Sequence, residues 1–199
     1  MPVTSANAEK NPNPQGKGLV PTLNDLALFN PDSVRRKAPI EFLRDYCLSS
    51  LVLAARFQFR PVVGKQYFLY SRDDHWMMSL ISPEEWGPAL PGPFVAACAL
   101  RPDMTWDVLF ADLEHHQPVR EQLQQFVDSF TSTVQQQSDL TADLPFFVAH
   151  LPYYRRVLAT GLAASLRLAA PSQPALHALL EQRSVVQSLT RMDVSPHSA

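Results

Sequence analysis

Proline is the residue that most restricts the fold of this chain, which has 18 prolines and only 6 glycines among its 199 residues. Because proline has no backbone N–H and a fixed φ, it is excluded from helix interiors and central strands but tolerated in the first turn of a helix. The prolines therefore mark the ends of secondary-structure elements. They predict that helices begin near Pro39, Pro83, Pro118 and Pro152.

Apolar spacing of three or four residues predicts which segments are helical. After Pro39 the apolar stripe consists of Ile40, Leu43, Cys47, Leu51 and Ala54. After Pro118 it consists of Val119, Leu123, Phe126, Val127, Phe130 and Val134, opposite a glutamine-rich face. Further helices are predicted after Thr22, over 139–151, over 153–169 and over 175–192, the last anchored by Leu176, Leu179, Leu180 and Leu189.

Five short runs between the first and second group of helices alternate or are strongly apolar, as expected for strands. They cover 57–62, 64–71, 75–81, 94–101 and 104–110. Their tight connections predict an α+β fold with a central antiparallel meander of about five strands. N-terminal helices and a C-terminal set of three to four helices would pack on it. Two runs are apolar on both faces, so we expect parts of the sheet to be covered on both sides.

These predicted elements indicate that the chain forms a single folded unit with a short tail at each end. Residues 1–18 are polar and predict a flexible arm. Residues 19–112 would form the helix-plus-sheet core, 113–192 a helical segment packed on the same domain, and 193–199 a tail.

Composition excludes several classes of protein. The formal net charge of −2 gives no overall attraction to nucleic acid or to anionic membranes. The sequence has neither a membrane-spanning apolar stretch nor a signal-peptide pattern. Cys47 and Cys98 lie in apolar runs, which predicts buried, reduced thiols and a cytoplasmic location. No motif predicts a cofactor, and the adjacent Glu114, His115 and His116 lack the spacing of a metal site.

The segment SPEEWG (82–87) contains two adjacent carboxylates, Glu84 and Glu85, which invite a catalytic interpretation. Neighbouring residues on a helix do not face each other, so they make a poor acid/base pair. Ser82, Pro83 and Glu85 instead fit a capping box with proline at the first helical position. We therefore predict a structural corner, with Trp86 inserted between sheet and helix and its indole N–H bonded to a carbonyl.

Three functional hypotheses remain open. The leading one is a non-enzymatic binding or adaptor module that holds an unknown protein or a small apolar ligand through sheet aromatics, namely Tyr67, Tyr70, Trp76, Trp86 and Trp106. The second is an enzyme that uses two or more acid/base groups from Glu84, Glu85, Asp103 and His75. The third is a nucleotide or nucleic-acid binder with basic groups from Arg35, Arg36, Lys37, Arg155 and Arg156, although the net charge disfavours nucleic acid.

Small residues recur in the predicted helix over 153–169, in the segment ATGLAAS (159–165). Such residues allow helices to approach closely, usually within one chain. A homodimer contact through this helix is the alternative.

Two motifs carry a resemblance: SPEEWG (82–87), and DMTW (103–106) one strand later. Together with Gly64-Lys65 and Leu69-Tyr70, they resemble an uncharacterised domain-of-unknown-function family. That family occurs in bacteria and in a small eukaryotic open-reading-frame protein. The resemblance extends from about residue 59 to 108. It implies a coherent folding unit, and it brings no activity to this chain.

Overall fold

A computed structural model describes residues 31–136 and 153–180 of the chain. The helices are α1 (Pro39–Ala54), α2 (Pro83–Trp86), α3 (Gln117–Gln136), α4 (Tyr153–Ala169) and α5 (Gln173–Leu180). The strands are β1 (Gln66–Arg72), β2 (His75–Ser79), β3 (Phe94–Leu100) and β4 (Trp106–Phe110). Single 3-10 turns form at Pro31–Ser33 and Gly87–Ala89. The predicted helices after Thr22 and over 139–151, and Leu189, lie outside the described residues.

The α+β class is confirmed, but the order of the strands is not that of a meander. The described residues form one antiparallel sheet with the order β2-β1-β3-β4, so β1 pairs with both β2 and β3. The segment between β2 and β3 must therefore pass beside β1. Its last part lies against the β1 backbone, where the Ser71 N–H donates to the Pro93 carbonyl at 2.9 Å.

The predicted first strand, over 57–62, is wrong. Arg56 forms an isolated parallel bridge with Met77, and the residues after it leave the sheet. Pro61 has no N–H to offer a strand ladder, and the Val62 N–H donates to the Tyr67 hydroxyl at 2.6 Å. The alternation of Phe57 and Phe59 nevertheless reflects real packing, because both half-buried rings lie against the core.

Helix α1 is buried on almost all sides, because it lies between the sheet and the other long helices. It contacts β4 and β2 on one side and α3, α4 and α5 on the other. Residues Phe42–Leu53 are therefore buried with the exception of Arg44, whereas Ile40 and Ala54 at its two ends are exposed. The predicted narrow stripe is correct at Leu43, Cys47 and Leu51 but wrong at these ends.

Helices α3, α4 and α5 complete the core. The predicted stripe of α3 is buried, with Phe126 partly buried beside it. In α4 the small residues Ala159, Gly161 and Ala163 are buried within the chain. A Cβ added to Gly161 would lie 2.8 Å from the Met104 Cε, so glycine makes room for this side chain. Contacts within one chain thus explain the small residues, and the homodimer through this helix stays a prediction.

Candidate binding surface

Strand register determines which side chains share a face of the sheet, because paired residues in antiparallel strands point the same way. One row of partners joins Ser79, Phe68, Ala97 and Leu109, and the next joins Met77, Tyr70 and Phe94. The opposite face carries Tyr67, Leu69, Cys98 and Val108, which belong to the main hydrophobic core with α1. We call the first face the outer sheet face; its apolar members are Phe68, Tyr70, Met77, Phe94, Ala97 and Leu109.

A β-bulge in β3 assigns Phe94 to the outer sheet face. Leu69 pairs with Ala96 and Tyr70 with Phe94, so Val95 has no partner in β1. Val95 and Ala96 are both fully buried in the main core. Because a bulge lets two consecutive residues oppose one, Phe94 is turned to the other side, where its ring lies 5.7 Å from that of Tyr70.

The outer sheet face is apolar, yet none of its six members belongs to the main core cluster. Phe68, Met77, Phe94 and Ala97 are half-buried, and Leu109 is 38% exposed. Only Tyr70 is fully buried. A second layer therefore covers one end of this face and leaves the rest partly open to solvent.

The covering layer is the segment over 80–90, which we call the apolar corner. The Tyr70 hydroxyl donates to the Ile81 carbonyl at 2.9 Å, which fixes the apolar corner over this end of the sheet. Leu80, Ile81 and Leu90 are exposed by 58%, 39% and 44%. Exposed leucine and isoleucine side chains grouped in one segment are a common feature of interaction sites.

A capping box builds the apolar corner. The Glu85 N–H donates to Ser82 Oγ at 3.3 Å, and the Ser82 N–H donates to Glu85 Oε2 at 2.9 Å. Pro83 occupies the first turn of α2, where its missing N–H has no cost. Glu84 and Glu85 are both exposed, so the apolar corner carries negative charge beside its aliphatic side chains. Burial, and then the charges of Glu84 and Glu85, raise the pKa of Tyr70 to about 12.

Trp86 differs from expectation in one respect. Its side chain is half-buried, and its buried indole N–H has no hydrogen-bond partner among the residues that the structure describes. The predicted bond to a carbonyl is therefore wrong. Helix α2 is only one turn long, and Gly87 follows it at φ 54°, so the chain turns away from Trp86 directly after it.

Of the other aromatic residues predicted to bind a ligand, Tyr67, Trp76 and Trp106 are buried in the main core. The Tyr67 ring stacks on Phe59 and meets the edge of Trp106. Of the five aromatics, only Tyr70 and Trp86 lie at the outer sheet face or the apolar corner. Alternation of side chains in the sequence distinguishes the two faces, but it does not show which of them a helix covers.

The acid/base candidates lie in different parts of the molecule. Glu84 and Glu85 are exposed at the apolar corner, His75 is half-buried at the start of β2, and Asp103 is buried after β3. No hydrogen bond or ion pair in the described part of the chain connects any two of them. An acid and a base that act on one substrate must reach it together, so this arrangement gives the enzyme hypothesis no support.

Asp103 belongs to a buried group of charges that sequence reasoning missed. Lys37 Nζ donates to Asp45 Oδ2 at 2.5 Å and to Asp103 Oδ2 at 3.0 Å. Arg101 donates to Asp45 Oδ1 at 3.1 Å and to Asp107 Oδ1 at 2.9 Å. We call Lys37, Asp45, Arg101 and Asp103 the charge cluster. The sequence feature that pointed to this cluster was Asp45, a carboxylate in the middle of α1. A carboxylate that is buried in a helix must be paired with a positive charge or hydrogen-bonded.

Local bonds hold Asp103 in the charge cluster. Its Oδ1 accepts from the Thr105 N–H at 3.0 Å and from the Thr105 hydroxyl at 2.5 Å, a pattern typical of aspartate in a turn. Burial works to raise the pKa of Asp103. The bonds from Thr105 and Lys37 together outweigh burial, so the pKa lies below its ordinary value. The carboxylates of the cluster are already paired, which favours a structural role over catalysis.

The basic candidates do not form one patch either. Arg35 forms a surface ion pair with Glu41, and Lys37 is buried in the charge cluster. Arg36 is exposed, and Arg155 lies at the start of α4, where it contacts the end of α1. The side chain of Arg156 lies outside the described ones.

Both cysteines are buried free thiols, as predicted. Burial raises the pKa of Cys47 to about 12, so it is protonated and unreactive at neutral pH. Within 31–136 and 153–180, no group of three or more histidine, cysteine, aspartate or glutamate side chains is arranged to hold a metal ion. None of the described helices is both long enough and apolar enough to cross a bilayer.

Comparison with known proteins agrees with the resemblance seen in the sequence. Residues 40–129 match the model of a family described as Protein of unknown function (DUF2452). No solved structure matches the chain. The match begins in α1, ends within α3, and includes all four strands, the apolar corner and most of the charge cluster. Residues 40–129 of this chain are therefore similar to the DUF2452 family of proteins of unknown function.

Proposed function

We propose that this chain is a non-enzymatic binding module that holds an apolar segment of a protein partner on the outer sheet face and the apolar corner. The observation that carries the proposal is the exclusion of six apolar outer-face residues from the main core, together with the exposure of Leu109, Leu80 and Leu90 beside them. The buried, reduced cysteines support a cytoplasmic location for this activity.

The chemistry of the surface indicates what the partner segment contains. Aliphatic and aromatic side chains provide the contact area, and burial of apolar surface contributes roughly 25 cal/mol per Å². Glu84 and Glu85 are exposed beside this surface. Complementary charges favour correct encounters. The preferred segment therefore has leucine, isoleucine or aromatic residues with lysine or arginine next to them.

A random-peptide display library provides the test, with the purified full chain as bait. We expect enriched peptides that combine apolar and basic residues. A double variant, Leu80→Glu and Leu109→Glu, should weaken their binding at least tenfold, because it places two charges in the contact. The matched control is Leu168→Glu on α4, where the leucine is 52% exposed but lies on a different element; this variant should bind as the wild type does.

Tryptophan fluorescence gives a second measurement with the same peptides. Trp76 and Trp106 are buried in the main core, whereas Trp86 is half-buried at the apolar corner. Peptide binding should shift the emission of the wild type, and Trp86→Phe should abolish most of that shift. Peptides that bind the Glu double variant as well as they bind the wild type would refute the proposed surface, and failure to enrich any peptide would refute the proposed function.

A further inference from the structure

The two edge strands of the described sheet, β2 and β4, differ in how their outward backbone groups are bonded. At the β2 edge, the Arg56 N–H donates to the Trp76 carbonyl at 2.8 Å, and the Arg56 carbonyl accepts from the Met78 N–H at 3.0 Å. At the β4 edge, the Trp106 N–H donates to Ser49 Oγ at 3.1 Å, which occupies only the start of that strand. The rest of the β4 edge has no such partner within the described part of the chain.

Hydrogen bonds at the two ends of β4 show which of its backbone groups point away from β3. The Arg101 N–H donates to the Thr105 carbonyl at 2.9 Å, and the Ala111 N–H donates to the Val95 carbonyl at 2.9 Å. Backbone groups of successive residues point alternately to the two sides of a strand. The odd-numbered residues of β4 therefore bond to β3, and the even-numbered residues direct their N–H and C=O groups outward.

Val108 and Phe110 are the even-numbered residues that remain after Trp106. Their N–H and C=O groups have no hydrogen-bond partner among the residues that the structure describes. Leu109 lies between them and is 38% exposed on the outer sheet face. We call residues 108–110 the open edge. Proteins commonly block such edges with proline or charged residues, and the open edge contains neither, so it can accept another strand.

We propose that the open edge pairs with the open edge of a second copy of this chain, antiparallel and about a two-fold axis at Leu109. In this register Val108 of each copy lies opposite Phe110 of the other, and each such pair exchanges two hydrogen bonds. The two pairs together use all the free N–H and C=O groups of both open edges. The two Leu109 side chains lie directly opposite each other on the outer sheet face, where they contact.

Charge and competing hydrogen bonds favour this register. The charged residue of β4 is Asp107, and it lies opposite Ala111 of the other copy, so no two carboxylates face each other. A shift by two residues would place Phe110 opposite Trp106, whose N–H is already bonded to Ser49. A contact between two short strands buries less area than a standard stable interface, so the dimer should be weak and depend on protein concentration.

Pairing through the open edge continues the sheet across the two-fold axis, so that the four strands of each copy form one sheet. Because paired residues in antiparallel strands point the same way, both outer sheet faces lie on the same side of the joined sheet. The dimer would thus present two adjacent copies of the proposed binding surface. The pairing itself depends only on β4, and it does not rest on the proposed function.

Disulfide formation by Leu109→Cys in the full chain tests the pairing. Opposite residues of a non-hydrogen-bonded antiparallel pair have Cα atoms about 4.5 Å apart, a separation that a disulfide can span. With oxidised glutathione, a covalent dimer should form at least tenfold faster for Leu109→Cys than for Leu168→Cys. Leu168 is the matched control, because it is 52% exposed but lies on α4. Both native cysteines are buried and should not react.

Sedimentation velocity measures the dimer without a cross-link. The dimer fraction of the wild type should rise with protein concentration, and Leu109→Arg should stay monomeric because it places two like charges opposite each other. Leu80→Glu, at the apolar corner, should weaken peptide binding but leave the dimer intact, so the two proposals can fail separately. A wild type that remains monomeric up to its solubility limit, a dimer that Leu109→Arg does not weaken, or equal cross-linking of both cysteine variants would overturn the proposal.

Discussion

Replacement of Lys37 by methionine is expected to lower the free energy of unfolding by about 3–5 kcal/mol, since removal of one partner of a buried ion pair leaves an uncompensated charge. Lys37 is only 7% exposed and is the contact that joins Asp45 to Asp103. Methionine has a similar length, so the loss measures the charge and its hydrogen bonds rather than the side-chain volume. Urea denaturation followed by circular dichroism gives the value.

Arg35→Met is the matched control for this experiment. Arg35 lies two residues earlier and also pairs with a carboxylate of α1, but its side chain is 67% exposed. A solvent-exposed pair contributes little to stability, so this variant should unfold nearly as the wild type does. Equal effects of the two substitutions would show that the charge cluster does not stabilise the fold.

The same cluster predicts how stability depends on pH. The pKa of Asp103 is lower in the folded chain than its ordinary value near 4. The unfolded chain then binds more protons than the folded one between these two pKa values, so stability rises with pH in that interval. The contribution of Asp103 is complete above the ordinary pKa and is lost as pH falls through the folded pKa. Asp103→Asn should flatten the acid side of the stability profile, and an unchanged slope would contradict this assignment.

Gly92→Ala has the second largest expected effect. A Cβ at this position would lie 1.9 Å from the Ser71 carbonyl oxygen, which belongs to the β1 backbone and does not yield as a flexible side chain does. We expect a loss of about 3 kcal/mol or more, at the upper end of the effects of overpacking. Differential scanning calorimetry measures it, and a lower melting temperature should accompany weaker peptide binding at the apolar corner.

Gly64→Ala distinguishes this steric effect from a general intolerance of alanine. Gly64 has φ 77° and no atom within 4 Å of an added Cβ, so the substitution introduces backbone strain but no clash. That strain costs about 1 kcal/mol. If Gly64→Ala were as harmful as Gly92→Ala, the close approach of residue 92 to β1 would not explain the result.

Patterns of residues close together in the sequence predicted the helices and strands better than they predicted how these elements pack together. The apolar stripe of the helix after Pro118 and the capping box of Ser82 and Glu85 each depend on residues a few positions apart. Both are present in the structure as predicted. Strand order depends on pairing between residues far apart in the chain, such as Tyr67 with Cys98, and no local periodicity records it. The run at Phe57 and Phe59 alternates as a strand does, but packing alone produced that alternation.

The candidate binding surface was harder to predict, because it too depends on contacts between residues that are far apart in the sequence. Tyr67 and Tyr70 are both buried aromatic residues of β1, yet they lie on opposite faces. Which face stays open depends on where the helices dock. Lys37 was assigned to a surface basic cluster because its neighbours Arg35 and Arg36 are basic, whereas its actual partners are 8 and 66 residues away.

The charge cluster has a practical consequence for anyone who prepares a fragment of this chain. The family match begins at residue 40, three positions after Lys37, and ends at residue 129, before α4 and α5. A recombinant piece cut at those limits would keep Asp45 and Asp103 without their ammonium counter-ion. It would also expose the side of α1 that Leu162, Leu166 and Leu176 help to enclose. Such a truncated product should be recovered in inclusion bodies, so expression plasmids should begin upstream of Lys37 and extend at least through Leu180.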